Sequence, residues 1–322
     1  MKKTIFALIF SILFCFPNSV KAQKVYRIGA LVASDLFVPA FEGFKKKMAE
    51  LGYVEGKNVK YDFHNAMADQ DVLTKLAQKF VQDKMDLIVT SSTSVTIPVA
   101  KVTEGTHLPV LFVSASDPLR FAKSYASSGN NLTGISNSSL DLIEKRMELL
   151  KEIVPGVKRV IVLENPSGTN YEASHRLIWE AGKKLGVNLI GVQAAGLEEI
   201  KSKISALITR KLGDAVFTPP DIQVTAAIEE IARQAIKEKL PLIGTNIETI
   251  KKGALATYTA DYFDLGQQGA MMANKILKGA KPADLPIELP DKLKLVLNLR
   301  TAKAIGLKIS KEILLRADEV IE

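Results

Sequence analysis

Leu87-Ile88-Val89-Thr90-Ser91-Ser92-Thr93-Ser94-Val95 is the most informative stretch of the sequence, because an apolar run changes abruptly into a cluster of hydroxyl side chains. The consecutive aliphatic and β-branched residues at 87–90 predict a short buried strand. The hydroxyl side chains are typical of a helix N-terminus, and a helix is expected over 95–103. A strand followed at once by a helix indicates a parallel sheet, since parallel strands need a crossover connection.

The same alternation of strand and helix extends along the chain in both directions. In the first series, strands are predicted at 25–32, 58–63, 87–90 and 109–113, and helices at 37–51, 69–81 and 95–103. In the second series, helices are predicted at 140–153, 171–185, 198–208, 224–237 and 264–277, and strands at 159–163, 188–192, 215–217, 241–243 and 255–257. A Pro-rich extended segment, a strand at 292–297 and a helix at 311–318 follow. Two similar series in roughly 300 residues indicate two α/β lobes rather than one sheet.

Polar side chains follow the predicted strands at their carboxyl ends, where open parallel sheets bind ligands. The loops concerned are 33–35, 91–94, 114–118, 165–167, 218–221 and 245–246. Most of them carry hydroxyl or amide groups and few charges. Such groups can bind a small polar molecule without burying an unpaired charge.

Three of these polar loops also have an explanation that involves no ligand. The four hydroxyls at 91–94 could bind an anion together with the free N–H groups of the helix, or one of them could simply cap it. Capping needs one hydroxyl rather than four, which favours ligand contact. Asp117 before Pro118 could equally be a turn residue, and Asp221 could equally be a helix cap.

The N-terminus is typical of a secretory signal peptide over residues 1–22. Lys2 and Lys3 precede an apolar run at 5–16, and Val20-Lys21-Ala22 supplies small residues at the expected cleavage site. The apolar run is too short for a membrane-spanning helix, which needs about 20 residues. Lipid attachment at Cys15, the only cysteine, is less favoured because the apolar run continues past it. We therefore expect an exported, periplasmic protein.

Composition and motifs exclude several classes of function. The net charge is +8 for the full chain, but the lysines are scattered, and a nucleic-acid-binding patch is not expected. The three histidines lie far apart, and the sequence contains no metalloprotease, P-loop, dinucleotide-binding or nucleophile-elbow motif. We expect no metal, no cofactor and no enzymatic activity.

Short motifs spread over nearly the whole chain after residue 22 resemble one known family. They include Glu42-Gly43-Phe44, Leu51-Gly52-Tyr53, Ser116-Asp117-Pro118, Asn131-Leu132-Thr133-Gly134, Ile276-Leu277-Lys278-Gly279 and Leu297-Asn298-Leu299. In order and spacing they resemble the tryptophan/tyrosine-type substrate-binding proteins of ABC transporters, which have the type I periplasmic-binding-protein fold.

The resemblance implies two similar three-layer α/β/α lobes with parallel sheets, joined by a hinge of three chain crossings. The N-terminal lobe would comprise residues 23–137 plus 259–285, and the C-terminal lobe 138–258 plus 286–322. A ligand would lie between the lobes. Combined with the loop analysis, the resemblance implies these ligand-binding residues: Ser34, Asp35, Ser91, Ser92, Thr93, Ser114, Ala115, Asp117, Asn137, Asn165, Pro220, Asp221, Asn246 and Asp261.

The function implied is capture of a small polar molecule by hinge closure and its delivery to an ABC transporter permease. An amino acid is expected, with Ser92 and Thr93 near its carboxylate, an aspartate near its ammonium group, and Phe37 and Tyr262 as candidates to cover an aromatic ring. The sequence departs from the family pattern at 33–36, 92–93 and 219–221, which are pocket positions, so ligand identity stays open. A sensory module for a receptor and a sugar or nucleoside binder are the alternatives. A monomer is expected.

Overall fold

The computed structural model describes residues 24–67 and 69–322. The predicted signal peptide at 1–22 and Cys15 lie outside the described residues. The strands are, in chain order, β1 (Tyr26–Val32), β2 (Val59–Asn65), β3 (Leu87–Ser91), β4 (Val110–Ala115), β5 (Leu132–Ser136), β6 (Arg159–Glu164), β7 (Asn188–Gln193), β8 (Ala215–Phe217), β9 (Leu242–Ile243), β10 (Ala256–Thr259), β11 (Lys294–Asn298) and β12 (Glu319–Ile321).

The α-helices alternate with these strands over most of the chain. They are α1 (Val38–Glu50), α2 (Gln70–Gln82), α3 (Thr93–Thr103), α4 (Ile143–Ile153), α5 (Tyr171–Leu185), α6 (Gly196–Leu207), α7 (Ile222–Ala226), α8 (Ile228–Lys237), α9 (Ile247–Lys251), α10 (Tyr262–Leu277), α11 (Leu299–Ile305) and α12 (Lys311–Arg316). Short 3₁₀ turns lie at Asp35–Phe37, Pro118–Arg120 and Pro282–Asp284.

The strands form two separate sheets, which confirms the prediction of two α/β lobes. The first sheet has the order β2-β1-β3-β4-β5, and every neighbouring pair in it is parallel. The second sheet has the order β12-β11-β10-β9-β8-β6-β7. It is parallel except that β10 and β11 run antiparallel, which the alternating pattern of the sequence did not predict.

Both faces of the second sheet are covered by helices. Val160 and Val162 of β6 pack with α4, α5 and α11, whereas Ile161 and Leu163 pack with α6 and α8. Alternate side chains of a strand point to opposite faces, so the two hydrophobic clusters lie on opposite sides of the sheet. This is the three-layer arrangement expected from the sequence.

The chain crosses between the two sheets three times. It leaves β5 of the first sheet after Ser136 and enters α4, which packs in the second lobe. It returns after β10, because α10 packs against α1 of the first lobe. The last crossing follows Glu288, whose backbone pairs with Gly134 and Ser136 on β5 before the chain enters β11. The exact lobe limits given by the sequence stay a prediction.

Several elements differ from the sequence-based expectation. The helix predicted at 224–237 is two helices, α7 and α8, that meet at Ala227. The Asp221 side chain accepts hydrogen bonds from the N–H groups of Gln223 and Val224, and it thereby starts a short helix earlier than the apolar pattern indicates. The elements β5, α9, α11 and β12 have no counterpart in the prediction.

Two glycines allow α1 and α10 to pack closely. A Cβ atom added at Gly266 would lie 1.8 Å from the Ala40 carbonyl oxygen, and one added at Gly43 would lie 2.0 Å from the Phe263 carbonyl oxygen. Because both obstacles are backbone atoms, no side-chain rotation could relieve the clash. The close approach attaches the returning helix α10 to the first lobe.

The Gly266→Ala substitution should therefore destabilise the protein by about 1–3 kcal/mol, the usual range for overpacking. Urea denaturation followed by circular dichroism measures the effect. The matched control is Gly156→Ala, because a Cβ atom at Gly156 would have no neighbour within 4 Å. Equal stability of the two variants would contradict the role of the close helix contact.

Candidate ligand-binding site

The carboxyl ends of strands from both sheets face one cavity of about 290 Å³. That volume is near the lower end of the range of about 300–1,000 Å³ for sites that bind small molecules. One part of the wall is rich in hydroxyl and amide groups, and another part is apolar. The lining residues are Leu36, Phe37, Gln70, Ser92, Thr93, Ser94, Ser114, Ser116, Asn137, Ser139, Ser167, Gly168, Thr169, Asn170, Pro220, Asp221, Ile222, Gln223, Thr225, Thr245, Asn246 and Tyr262.

The N-terminus of α3 forms much of the polar wall. The Thr93 hydroxyl accepts hydrogen bonds from the backbone N–H groups of Ser116 and Asp117, both at 3.0 Å, so it fixes the loop after β4. The Ser92 and Ser94 hydroxyls are hydrogen-bonded to each other at 3.0 Å. The first N–H groups of a helix have no intrahelical acceptor, and together with the helix dipole they favour an anionic group.

Two residues of this polar wall have a backbone conformation that favours glycine. Ser92 has φ +83° with ψ 154°, and Ser114 has φ +72°. Such residues cost of order 1–3 kcal/mol each, and they concentrate at functional sites. The strain is consistent with a wall whose side chains are placed for ligand contact rather than for stability.

Asp221 is the one carboxylate that the described residues contribute to the cavity wall, and it belongs to the second lobe. Its oxygens accept hydrogen bonds from the Asn165 amide at 3.2 Å and from two N–H groups of α7. Burial raises the pKa of Asp221 above its ordinary value, although these hydrogen bonds oppose the shift. Among the described residues, no lysine, arginine or histidine forms an ion pair with Asp221. Its negative charge therefore accepts hydrogen bonds but is not neutralised by a cation of the described chain.

Gly168 lies close to the Asp221 carboxylate. A Cβ atom added there would lie 2.1 Å from Asp221 Oδ2 and 3.1 Å from the Asn165 carbonyl oxygen. A side chain at this position would therefore displace the carboxylate, and glycine avoids that contact.

The apolar wall contains an aromatic pair. The rings of Phe37 and Tyr262 lie 5.1 Å apart between centroids, and Leu36 and Ile222 extend the apolar surface. Burial raises the pKa of Tyr262 to about 12, so its hydroxyl is neutral at physiological pH. A planar apolar group on the ligand could pack against this wall.

Hydrogen bonds connect the two lobes beside the cavity. The Asn170 amide of the second lobe donates to Ser116 Oγ of the first at 2.9 Å, and it also contacts the Pro220 carbonyl oxygen at 3.2 Å. The Arg120 guanidinium donates to the Thr169 carbonyl oxygen at 3.0 Å. The Asn170 side-chain oxygen is buried and has no hydrogen-bond donor within the described part of the chain, so it is available to a ligand.

The structure brings half of the sequence-predicted residues into the cavity wall: Ser92, Thr93, Ser114, Asn137, Pro220, Asp221 and Asn246. Ser34, Asp35 and Asp261 line a second chamber of about 610 Å³ that adjoins the first at Tyr262. There Asp261 is ion-paired with Lys294 at 2.7 Å.

The other four predicted residues lie just behind the wall. The Ser91 and Ser114 hydroxyls are hydrogen-bonded at 2.9 Å, and Asn165 orients Asp221. Ala115 packs in a small buried cluster around Phe112. The Asp117 backbone bonds to Thr93, and burial raises the pKa of its carboxyl.

Sequence reasoning missed several residues of the wall. Two of them, Gln70 and Thr225, lie within predicted helices, and two others, Ser139 and Asn170, lie directly before predicted helices. The search was limited to loops that follow strands, so it did not include these four residues. The Ser94, Ser116, Ser167 and Thr245 side chains belong to the loops that the sequence did indicate.

Two α/β lobes with a polar cleft at their strand ends define a periplasmic-binding-protein type of architecture. Residues 27–321 match the family described as ABC transporter substrate binding protein, and the chain belongs to that family. Its members bind solutes and are not enzymes.

Individual relatives agree with this assignment. The tyrosine-binding protein of Clostridioides difficile is 29% identical over 290 residues, which cover 89% of this chain and 82% of the relative. An ABC domain from Streptococcus pneumoniae, solved in complex with L-Trp, is 26% identical with a TM-score of 0.83, covering 92% of this chain and 100% of that one. A conserved domain protein from Vibrio cholerae is 26% identical with a TM-score of 0.85 and the same coverage.

A ligand-free, open substrate-binding protein with adhesive properties, from Clostridium difficile, is 28% identical with a TM-score of 0.72 over 92% of this chain and 99% of that one. Within the described residues, no helix is long and apolar enough to span a bilayer. No group of three or more His, Cys, Asp or Glu side chains in the same residues could bind a metal ion.

The buried charge of Asp221 leads to a prediction about stability. A folded-state pKa above the unfolded value means that the folded protein binds more protons between the two values, so stability falls as the pH rises through that window. The Asp221→Asn variant lacks this titration. Its stability relative to the parent protein should therefore be greater at pH 7 than at pH 4, as measured by urea denaturation without added ligand.

The exposed Asp284 supplies the matched control. The Asp284→Asn variant removes a carboxylate at an exposed position, so comparing the two variants isolates the effect of burial. A pH-independent difference for Asp221→Asn would show that burial does not disfavour the Asp221 carboxylate.

Proposed function

We propose that this protein is an exported, periplasmic receptor that binds an aromatic amino acid and delivers it to the permease of an ABC transporter. The observation that carries the proposal is the division of one cavity into three chemical regions: an α3 N-terminus rich in hydroxyls, the unpaired Asp221 carboxylate, and the Phe37–Tyr262 pair. An aromatic amino acid has a carboxylate, an ammonium group and an apolar ring to match them.

Each part of the ligand has a partner of suitable chemistry. The carboxylate would accept hydrogen bonds from the first N–H groups and the hydroxyls of α3, at Ser92 and Thr93. The ammonium group would donate to Asp221 and to the unpartnered oxygen of Asn170. The ring would pack against Phe37 and Tyr262. The names of two relatives, one tyrosine-binding and one solved with L-Trp, support this class of ligand.

Hinge closure would bury the ligand between the lobes. Contacts such as Asn170 to Ser116 can form only when the lobes are close, so they contribute to the closed state alone. The higher TM-score with the L-Trp complex, 0.83, than with the open ligand-free relative, 0.72, supports a closed arrangement for this structure. The permease would distinguish the closed form from the open one.

Export to the periplasm would depend on the predicted signal peptide at residues 1–22. Cleavage after Ala22 would release a chain that begins at Gln23, with 40 basic and 35 acidic residues and no cysteine. We propose that this mature chain acts as a monomer, since one chain forms the whole cavity wall.

The direct test is thermal melting of the mature protein with a panel of amino acids, sugars and nucleosides. A ligand present at 100 times its Kd stabilises the folded state by about 2.7 kcal/mol, because it binds the folded state only. L-Tryptophan or L-tyrosine should raise the Tm clearly, and the sugars and nucleosides should not. A shift with sugars alone would refute the amino-acid assignment.

The Asp221→Asn variant tests the role of the carboxylate. Loss of a charged hydrogen-bonding partner should weaken binding of the amino acid at least tenfold, as measured by isothermal titration calorimetry. The exposed Asp284→Asn variant should bind with the parent affinity. Undiminished binding by Asp221→Asn would exclude the proposed contact with the ammonium group.

A further inference from the structure

A buried arginine of α4 lies behind the cavity wall at the hinge. Arg146 is 1% exposed, and it is the largest side chain among the fully buried residues. Its guanidinium donates to the carbonyl oxygens of Ser139 at 2.8 Å, Tyr258 at 2.8 Å and Thr245 at 2.9 Å. These acceptors belong to the first crossing, to the end of β10 and to the loop after β9, so one side chain connects three segments around the cavity.

The charge of Arg146 is not neutralised within the described residues. No carboxylate there lies within ion-pair distance of the guanidinium, and all of its hydrogen-bond acceptors are neutral oxygens. Burial lowers the pKa of Arg146 to about 10, so the side chain still carries its positive charge at neutral pH. A buried cation without a counter-ion leaves a positive potential in the adjoining cavity, because protein screens a charge less than bulk water does.

The Ser139 hydroxyl connects this charge to the cavity. Both terminal nitrogens of the Arg146 guanidinium donate to Ser139 Oγ, each at 3.3 Å. Ser139 also lines the cavity, and the residue as a whole is 7% exposed. A hydroxyl has one proton and two lone pairs. Since the guanidinium occupies the lone pairs, the proton of Ser139 is directed away from Arg146 and can be donated to a ligand.

We infer that Ser139 donates a hydrogen bond to the anionic group of the ligand, and that Arg146 is the positioning residue that orients and polarises this hydroxyl. The inference rests on the proposed function, because it assigns the group bound at the hinge end of the cavity to the carboxylate of the amino acid. The carboxylate has two oxygens, so one can contact α3 and the other Ser139.

The geometry also predicts which ligands the site rejects. An amino acid amide retains the ammonium group and the ring, but its carbonyl carries no charge. Hydrogen bonds to an ionised acceptor are roughly twice as strong as those between neutral groups. The site should therefore bind the acid more tightly than the amide, and part of that preference should depend on Ser139 and Arg146.

The test measures the affinities of L-tyrosine, L-tryptophan and their primary amides by isothermal titration calorimetry. In the Ser139→Ala variant, the preference for the acid over the amide should fall by about tenfold. The matched control is Ser138→Ala, since Ser138 is equally buried in the same segment but does not line the cavity. That control should retain the parent preference even if its overall stability falls.

The Arg146→Met variant tests the source of the charge, with its Tm measured first to establish that it folds. Its preference for the acid should fall as in Ser139→Ala, and the double variant should lose little more, because both residues act on one hydrogen bond. If Arg146→Met does not fold, Arg146→Lys takes its place. A lysine lacks the fork that contacts Ser139 Oγ from two nitrogens, so the preference for the acid should fall below that of the parent protein.

The possible results separate the inference from the proposed function. An unchanged preference for the acid in Ser139→Ala, together with normal binding by the parent protein, would overturn the inference and leave the proposed function intact. Failure of the parent protein to bind either amino acid would overturn the proposed function and the inference with it.

Discussion

The three crossings of the chain between the two sheets are the constraint on which the rest of the structure depends. They lie at the strand ends of both lobes, and residues of the loops after β3, β4, β6, β8 and β9 line the same cavity. The backbone pairing of Glu288 with β5 and the close packing of α10 on α1 attach the returning segments to the first lobe. The cleft is therefore a consequence of connectivity, and the side chains decide only what it binds.

Several residues in or behind the wall of that cleft have conformations or charges that cost free energy of folding. Ser92 and Ser114 have positive φ angles that glycine would adopt more readily. Among the described residues, Asp221 is a partly buried carboxylate without a paired cation, and Arg146, behind the wall, is a fully buried cation without a paired carboxylate. A zwitterionic ligand carries both of the missing charges. The free energy that these groups cost in the empty cleft would be offset when a ligand of opposite charge pattern binds, which favours closure around that ligand.

The two unpaired charges differ in their distance from the cavity. Asp221 lines the cavity and can contact a ligand directly, whereas Arg146 is separated from the cavity by Ser139. A guanidinium that is saturated with neutral acceptors cannot adjust to different ligands, but it can orient the hydroxyl in front of it. The apolar wall around Phe37 and Tyr262 has no such constraint, so under the proposed function it is the part of the site where the ring of the ligand could vary.

The sequence alone was sufficient for the fold class and the family, and half of the ligand-binding residues that it predicted line the cavity. Hydrophobic periodicity and the residues after each strand are local signals, and parallel topology places those residues at one edge. The sequence could not indicate that Ser139 and Asn170 contact the cavity, or that Arg146 is buried without a counter-ion among the described residues. Each of these depends on distances between segments 50 to 112 residues apart, as in the bonds of Asn170 to Pro220 and of Arg146 to Tyr258. Such distances exist only once the lobes have folded and packed, which is why only the tertiary structure decided them.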